Sequence, residues 1–549
     1  MKQRHPSFLL CFLCLVSLPV LAQNKPLTRA ETTDYRETSL YTDVMQFIGA
    51  LQPTTPHLRV ETLGQSAEGR DIPLLIIGNP VPANPSDLRR DGRAVIYIQA
   101  NIHAGEVEGK EAVLMLIRDL LREAKPRFLD QFVLLVAPIF NADGNDKLDE
   151  DNRGDNGPKE AGIRYNGMNL DLNRDGMKLE SPEVRALMDR VILKWDPLVL
   201  VDCHTTNGSY HDEPVTYLWG MNPNGDLPII EFMRSQMMPD IDKQLEKKYN
   251  VLSIPYGNYV DWSKPEAGWG HTSVEPRYIW NYWGLRNRFA ILLENYSHAD
   301  FKTRVNGNYY FLQSVLEYCE THHKTLRTMA AQADRRTVQR GLNPAETDSF
   351  AIAMKEVKLG KVITIQGYGH EKIPNARGYR RYKKTDEKKV YKTPLFHHWA
   401  KKAQVRFPYG YLIPLHDKAI IENLKMHGLL VERLAAETTL LVEAFKITKV
   451  TPTDPYNRGA RSYQGHYLNA VKGKTVMVEK TFDEGTYFVS TAQPLGNLAA
   501  YLLEPQSNDG LLVWNFFDRY LTAQWSSALQ VYPVYKLYTP EPLAKTTIE

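Results

Sequence analysis

The sequence predicts an α/β fold, with a mixed central sheet that has helices on both faces, followed by a strand-rich C-terminal domain. From about residue 40 to 335, short apolar runs alternate with longer amphipathic stretches, which is the pattern of strands covered by helices. After Asp334, a polar linker leads to shorter strand-like runs separated by turn residues. The 549 residues also exceed the roughly 250–300 that one hydrophobic core accommodates. We therefore predict two domains, residues 23–340 and 345–549.

The first domain contains several apolar and amphipathic segments. The predicted strands are Ile72–Ile77, Ala94–Ala100, Phe132–Ala137, Leu198–Cys203 and Phe289–Glu294. The predicted helices are Glu108–Glu123, Pro182–Trp195, Leu227–Tyr249 and Asn308–Asp334. Ser181 before Pro182 is a helix-start signal, since serine caps a helix and proline suits its first turn. In the second domain, Ala419–His427 is a predicted helix within otherwise strand-like sequence.

The N-terminus has the pattern of a secretory signal peptide. Lys2 and Arg4 precede an apolar stretch, and small or apolar residues lead to a cleavage site after Ala22. The stretch is shorter than the roughly 20 residues that a membrane span needs. We therefore predict that residues 1–22 are removed and that the protein is secreted or periplasmic, with no membrane span.

Charge and cysteine content exclude some functions. Loss of Lys2 and Arg4 would lower the formal net charge from +3 to +1, which gives no electrostatic reason to expect nucleic acid as a partner. Cys203 and Cys319 alone would stay in the mature chain, so a disulfide framework is not predicted.

A metal site is predicted where two of the strands end. His103 and Glu106 follow the strand Ala94–Ala100, and His204 follows Leu198–Cys203. Open α/β sheets bind their ligands at the carboxyl ends of strands. Imidazole and carboxylate are ligands of catalytic zinc, which keeps a fourth position for water. A hydrogen-bonded structural role is the alternative for either histidine alone, but candidate ligands at the ends of two separate strands favour a metal.

Four more segments follow His103–Glu106 in order along the chain. They are 138–144 (PIFNADG), 171–174 (DLNR), 203–204 (CH) and 291–294 (ILLE). Together these segments resemble the carboxypeptidase A/B family of zinc metallocarboxypeptidases over about residues 40–335. No resemblance is visible in the remainder of the chain.

The resemblance implies a carboxypeptidase-like fold and one Zn²⁺ per chain, bound by His103, Glu106 and His204. It further implies that Glu294 is the general base for a zinc-activated water that hydrolyses the C-terminal peptide bond. The alternative for Glu294 is a buried, paired carboxylate.

The resemblance also implies further site residues. Asn173 and Arg174 match the pair that binds the terminal carboxylate of a peptide, a task suited to a guanidinium group. Asp171 matches the carboxylate that orients the first zinc histidine. Arg153 and Arg164 are the candidates for stabilising the oxyanion, and we take Arg153 as the first.

Three functions are compatible with this pattern. The first is a secreted zinc metallocarboxypeptidase acting on peptides with a free C-terminal carboxylate. The second is an amidase of cell-wall peptides or acylated amino acids that uses the same zinc site. The third is a non-catalytic peptide- or glycan-binding protein, although a degenerate site would be expected to lack a ligand or the base. Tyr278 and Tyr282 are candidate site tyrosines, and neither is favoured.

Overall fold

The computed structural model describes residues 25–122, 127–153, 156–270, 272–374, 382–456, 459–522 and 528–548. The predicted signal peptide, residues 1–22, lies outside this range. No helix of the described residues is both long enough and apolar enough to cross a membrane.

Helices and strands alternate in the first 340 residues. The helices are α1 (Arg29–Thr32), α2 (Tyr41–Leu51), α3 (Pro85–Asp91), α4 (Glu108–Leu120), α5 (Ala142–Asn145), α6 (Pro182–Leu187), α7 (Leu227–Phe232), α8 (Met238–Tyr249), α9 (Ile279–Leu285) and α10 (Phe301–Leu342). The strands are β1 (Leu58–Gln65), β2 (Asp71–Ile77), β3 (Ala94–Ala100), β4 (Phe132–Ala137), β5 (Val199–Thr206), β6 (Val215–Trp219), β7 (Ser253–Pro255), β8 (Asn258–Tyr259), β9 (Trp269–Gly270) and β10 (Phe289–Tyr296).

The remaining residues are rich in strands. These are β11 (Ser349–Val357), β12 (Val362–Lys372), β13 (Tyr382–Pro394), β14 (His398–Arg406), β15 (Gly410–Ile413), β16 (Glu432–Leu434), β17 (Thr438–Thr453), β18 (Leu468–Phe482), β19 (Tyr487–Ser490), β20 (Tyr535–Leu537) and β21 (Lys545–Thr547). Two helices, α11 (Lys418–Met426) and α12 (Gly496–Leu503), lie between them.

The large sheet is mixed and has the strand order β1-β2-β4-β3-β5-β10-β6-β7. Its four central strands, β4, β3, β5 and β10, run parallel to each other, whereas β10 and β6 are antiparallel. The carboxyl ends of the four parallel strands therefore meet at one edge. The predicted fold class is confirmed, including the strand-rich C-terminal region, where the larger sheet has the order β18-β17-β20-β15-β19-β16-β21.

The predicted strands and helices are largely confirmed, and two of the differences concern the large sheet and the boundary between the two regions. Three strands of the large sheet, β1, β6 and β7, were not predicted, because their burial patterns are irregular or they are short. The helix predicted to end at Asp334 continues to Leu342, and this corrects the prediction of a polar linker after Asp334. Residues such as Arg336 and Gln339 were interpreted as part of a linker because they are polar, yet arginine and glutamine are good helix formers.

The C-terminal end of α10 packs tightly against the second region. Ala333, Thr337 and Gly341 are buried at four-residue intervals, which places them on one face of the helix. A Cβ atom at Gly341 would lie 2.2 Å from the backbone of Thr491, so only glycine permits this contact. One continuous cluster of buried apolar side chains extends from the large sheet to residues such as Tyr501 and Trp514. The two regions therefore share a hydrophobic core, while their division at residues 340–345 stays a prediction.

Candidate active site

The predicted site residues meet at the edge formed by the parallel strands. His103 follows β3, His204 lies near the end of β5, and Glu294 lies near the end of β10. Because β5 and β10 pair in register, His204 and Glu294 are direct neighbours across the sheet. The short loop after β3 is crowded, since a Cβ atom at Gly105 would lie 2.6 Å from the Gly162 carbonyl oxygen. This glycine lets Gly162 and Arg153 approach the site.

Three side chains form a potential metal-binding cluster. The candidate ligand atoms of His103, Glu106 and His204 all lie within 4.8 Å of one another, and all three residues are buried. The Nδ1 atoms of the two histidines face each other at 3.1 Å, and each lies 3.0–3.1 Å from a Glu106 oxygen. Two imidazole nitrogens and a carboxylate that converge in this way have the donor chemistry of a catalytic zinc site. The residues present thus fit a zinc ion.

Each histidine is oriented from behind by a carboxylate. His103 Nε2 lies 3.0 Å from Asp171 Oδ1, as the resemblance implied. His204 Nε2 lies 3.0 Å from Asp202 Oδ2, a contact that was not predicted. The other oxygen of Asp202 accepts a hydrogen bond of 3.2 Å from Gln99, whose own oxygen accepts one of 2.9 Å from the Tyr97 hydroxyl. The side chains of Asp202, Gln99 and Tyr97 are all fully buried.

Two guanidinium groups surround Glu106. Arg153 donates to its carboxylate, to the Thr205 carbonyl oxygen and to the Asn207 side chain. Arg164 donates to Asp171 at 2.8 Å and to Glu106 at 3.3 Å. Burial would raise the pKa of Glu106, but the charges of His103 and Arg153 hold it well below its ordinary value. Both arginines lie at the centre, so the choice between them as the oxyanion group stays open.

Glu294 is the carboxylate that lies beside the candidate metal ligands near the end of β10. Its Oε2 atom is buried and has no hydrogen-bond partner among the described residues. Burial raises the pKa of Glu294 to about 8, opposed by His204 and reinforced by the negative charge of Glu106. A carboxylate with a pKa near neutrality can both accept and return a proton at physiological pH. Its position suits a general base.

A cavity of about 290 Å³ joins these groups. His103, Glu106 and Glu294 line it, and so do Asn173 and Arg174. The Asn173 Oδ1 atom accepts a hydrogen bond of 2.9 Å from the backbone of Ile279 at the start of α9, which fixes its side chain. The Arg174 guanidinium lies over the ring of Tyr278, 4.2 Å from its centroid.

The two candidate tyrosines have different surroundings. Tyr278 lines the cavity. Tyr282 is buried away from it, and its hydroxyl lies 2.9 Å from His427 Nδ1 and accepts from Arg286. Of these two candidates, Tyr278 is therefore the one available to a ligand in the cavity, which Tyr256 also lines.

The C-terminal region also reaches the site. The Asp171 backbone N–H donates a hydrogen bond of 2.8 Å to the Gln464 side chain. Two residues further on, His466 Nε2 lies 2.6 Å from a carboxylate oxygen of Glu180. Gln464, which precedes β18, therefore supports the backbone of the acid that orients His103.

Comparisons with known proteins agree with this geometry. Residues 44–178 match the family model described as zinc carboxypeptidase. The chain carries a zinc carboxypeptidase domain. It is thus a hydrolase of the metallocarboxypeptidase type. The matched segment of the carboxypeptidase domain includes His103, Glu106 and Arg174, whereas His204 and Glu294 lie beyond it.

The similarity to known carboxypeptidases extends over most of this chain. Carboxypeptidase 2 of Trichophyton rubrum is 21% identical over 479 residues, which cover 83% of this chain and 80% of the relative. Carboxypeptidase 2 of Trichophyton tonsurans is 21% identical over 465 residues, covering 81% and 78% of the two chains. Among solved structures, the carboxypeptidase A from Helicoverpa armigera aligns with 17% identity and a TM-score of 0.39 over 55% of this chain and 75% of its own. A metallo-carboxypeptidase from Burkholderia cenocepacia aligns with 19% identity and a TM-score of 0.39 over 52% and 71%.

Asp202 is the main site residue of the carboxypeptidase that sequence reasoning missed. A usable signal was present, because residues two apart on a strand share a face and Asp202 precedes His204 by two. The same rule explains why the intervening Cys203 points away, towards Asn308.

We expect Asp202→Asn to weaken zinc binding by roughly 10- to 100-fold, since partners that orient a metal-binding histidine contribute on this scale. Competition with a chelator would measure the dissociation constant. Asp171→Asn is the matched control at the other histidine and should show a similar loss. Unchanged affinity in Asp202→Asn alone would show that the Asp202–His204 contact does not support the metal.

Proposed function

We propose that this protein is an exported zinc carboxypeptidase that removes the C-terminal residue of peptides, with residues 23–340 as catalytic domain and 345–549 as accessory domain. The observation that carries the proposal is that one cavity is lined by two of the three candidate zinc ligands, His103 and Glu106, by Glu294 and by Arg174. The Oε2 atom of Glu294 is buried and has no hydrogen-bond partner among the described residues. A centre with metal, base and anion-binding group in one small cavity suits hydrolysis next to a terminal carboxylate. The names of the relatives support the same activity.

The proposed division of labour follows from the contacts. His103, Glu106 and His204 would hold zinc, which when bound polarises a carbonyl group and makes water more acidic. Arg174 binds the terminal carboxylate of the peptide, because its guanidinium is always charged and lines the cavity. Glu294 accepts a proton from the attacking water and returns it to the leaving amine. Arg153 and Arg164 supply positive charge where the oxyanion develops.

The test uses the full-length mature protein loaded with zinc and blocked peptides in two forms, with a free or an amidated C-terminus. Mass spectrometry should show loss of one C-terminal residue from the free form only. Arg174→Gln should lower kcat/KM for the free form by about 10- to 200-fold, since an ion pair to a guanidinium contributes roughly 1.5–3 kcal/mol. Equal cleavage of amidated peptides, or of internal amide bonds, would contradict an exopeptidase and favour an amidase.

Export is proposed from the pattern of residues 1–22. N-terminal analysis of the protein recovered from the periplasm or the medium should begin at Gln23. Recovery of the uncleaved chain in the cytoplasm would contradict it.

A further inference from the structure

A tight turn precedes β18, and its four residues are Tyr463, Gln464, Gly465 and His466. The first and last residues exchange both backbone hydrogen bonds, at 2.8 and 3.0 Å. Gln464 has a φ of 52° and Gly465 a φ of 82°, so both central residues are in the left-handed region. Such two-residue turns favour asparagine, aspartate or glycine at the first central position, where glutamine is strained. Strain of this kind persists where the surrounding structure holds a residue in place, often at a functional site.

The side chain of Gln464 reaches the segment of the chain that carries Asp171 and Arg174. Its oxygen accepts the 2.8 Å hydrogen bond from the Asp171 backbone N–H. Asp171 is 4% exposed, and a buried N–H group needs an acceptor. Asparagine would suit the turn better, but its side chain is one methylene group shorter. The strained glutamine therefore combines the turn with an acceptor that is long enough to reach Asp171.

Asp171 transmits this support to three groups of the centre. Its Oδ1 atom lies 3.0 Å from His103 Nε2. Its Oδ2 atom accepts a hydrogen bond of 2.8 Å from Arg164 and lies 3.7 Å from the Arg174 guanidinium. The residues that follow, Leu172–Arg174, form only a single 3₁₀ turn, which has few hydrogen bonds of its own. The position of Asp171 therefore depends on contacts from outside this short segment.

The turn itself is held by a separate set of contacts. His466 Nε2 lies 2.6 Å from a carboxylate oxygen of Glu180, and His466 Nδ1 lies 3.0 Å from Asn515 Oδ1. Glu180 belongs to the first region and Asn515 to the second. A change that is confined to the side chain of Gln464 therefore leaves the turn docked.

The C-terminal region also holds a second segment beside Arg174. The Arg174 guanidinium lies 4.2 Å from the ring centroid of Tyr278. The preceding residue, Arg277, lies 5.8 Å from the ring centroid of Tyr463 and 3.1 Å from the carboxylate of Asp509. The Arg174 guanidinium is thus contacted by two segments that the C-terminal region holds in place.

We propose that Gln464 is a positioning residue of the catalytic centre and that it acts through Asp171 on His103 and Arg174. The effect on Arg174 rests on the proposed carboxypeptidase function, whereas the effect on His103 concerns metal binding alone. The C-terminal region is then a component of the centre, because it aligns a zinc ligand with the group that binds the terminal carboxylate.

The first test removes the acceptor in two ways, in the full chain. Gln464→Ala and Gln464→Gly both lack it, but glycine suits a positive φ and alanine does not. The glycine variant should therefore unfold at a higher urea concentration than the alanine variant. We expect both variants to bind zinc roughly 2- to 10-fold more weakly than wild type in competition with a chelator, the scale of one hydrogen bond. Wild-type zinc affinity in the glycine variant would overturn the proposal.

Asn250 provides the matched control for backbone strain. It ends α8 with a φ of 54°, is exposed and is not among the residues that line the cavity. Asn250→Ala places alanine at a positive φ, so it should lower the urea midpoint and leave zinc affinity unchanged. An equal loss of zinc affinity in Asn250→Ala would assign the effect to general destabilisation and overturn the proposal.

Kinetics test the effect on Arg174. At saturating zinc, both Gln464 variants should raise KM for peptides with a free C-terminus by roughly 2- to 10-fold, with a smaller change in kcat, because the arginine contributes to binding. A loss confined to kcat would overturn the link to Arg174.

Zinc affinity and cleavage together separate this proposal from the proposed function. If peptides were not cleaved but both Gln464 variants bound zinc more weakly, the positioning role would stand and the carboxypeptidase function would fall. If peptides were cleaved and both variants kept wild-type zinc affinity and KM, the function would stand and the positioning role would fall.

Discussion

Replacing Glu294 by glutamine is expected to lower kcat by roughly 10²- to 10⁴-fold, the contribution typical of a general base. Glutamine keeps the shape of the side chain but cannot accept the proton of the attacking water. The metal should still bind, because the candidate ligands are His103, Glu106 and His204. Steady-state turnover of a blocked peptide, together with the zinc content of each variant, measures both effects.

The pH dependence of the metal-free protein provides a control for Glu294. Its pKa is raised from 4.5 to about 8 in the folded chain, mainly by burial. A raised pKa makes the protonated form favourable to folding, so this contribution is present below about pH 4.5 and is lost as the pH rises to about 8. Metal-free wild type should therefore lose stability over this window relative to metal-free Glu294→Gln. Parallel denaturation midpoints across the window would show that Glu294 is not held in a desolvated position.

Replacing Asp509 by alanine is expected to cost about 3–5 kcal/mol of folding free energy, because it leaves a buried guanidinium unpaired. Asp509 is fully buried and accepts from the Arg277 backbone at 2.6 Å and from Trp514 at 2.8 Å. The Arg277 Nε atom lies 3.1 Å from it. Arg277 precedes the cavity residue Tyr278, so the pair joins the second region to the wall of the site. Urea denaturation of the metal-free full chain measures the loss.

An exposed ion pair between the same two regions is the matched control. Lys388 lies 2.6 Å from Asp212, and its side chain is 69% exposed. Lys388→Ala should cost less than about 1 kcal/mol, as solvent-exposed pairs do. If both variants lost the same small amount, Asp509 would not be a buried anchor between the regions.

The place of the candidate metal cluster could be predicted because it depends on local pattern, whereas the role of Glu294 is implied by the resemblance to the family. His103, His204 and Glu294 each end an apolar run, and the ends of parallel strands meet at one edge of a sheet. The choice between Arg153 and Arg164 could not be made, because both belong to an irregular loop without periodicity, and the structure places both beside Glu106.

Contacts between distant segments escaped prediction for a different reason. Gln464 supports Asp171 across 293 residues, and nothing in the local sequence of either segment indicates the other. The extension of α10 to Leu342 was missed because its last turns bury only one narrow face of the helix and are otherwise polar, and a polar segment resembles a linker. Both the Gln464–Asp171 contact and the length of α10 depend on packing between segments that are distant in the sequence.

The contact between Asp171 and Gln464 also bears on when the enzyme becomes complete during synthesis. Domains generally fold from the N-terminus while the ribosome is still adding residues. The ligands and the base are all made by residue 294, yet the hydrogen-bond acceptor for Asp171 is added only 170 residues later. A nascent chain therefore carries an unsupported centre until the loop between β17 and β18 has emerged and docked. Completion of the centre is in this way tied to near-completion of the polypeptide.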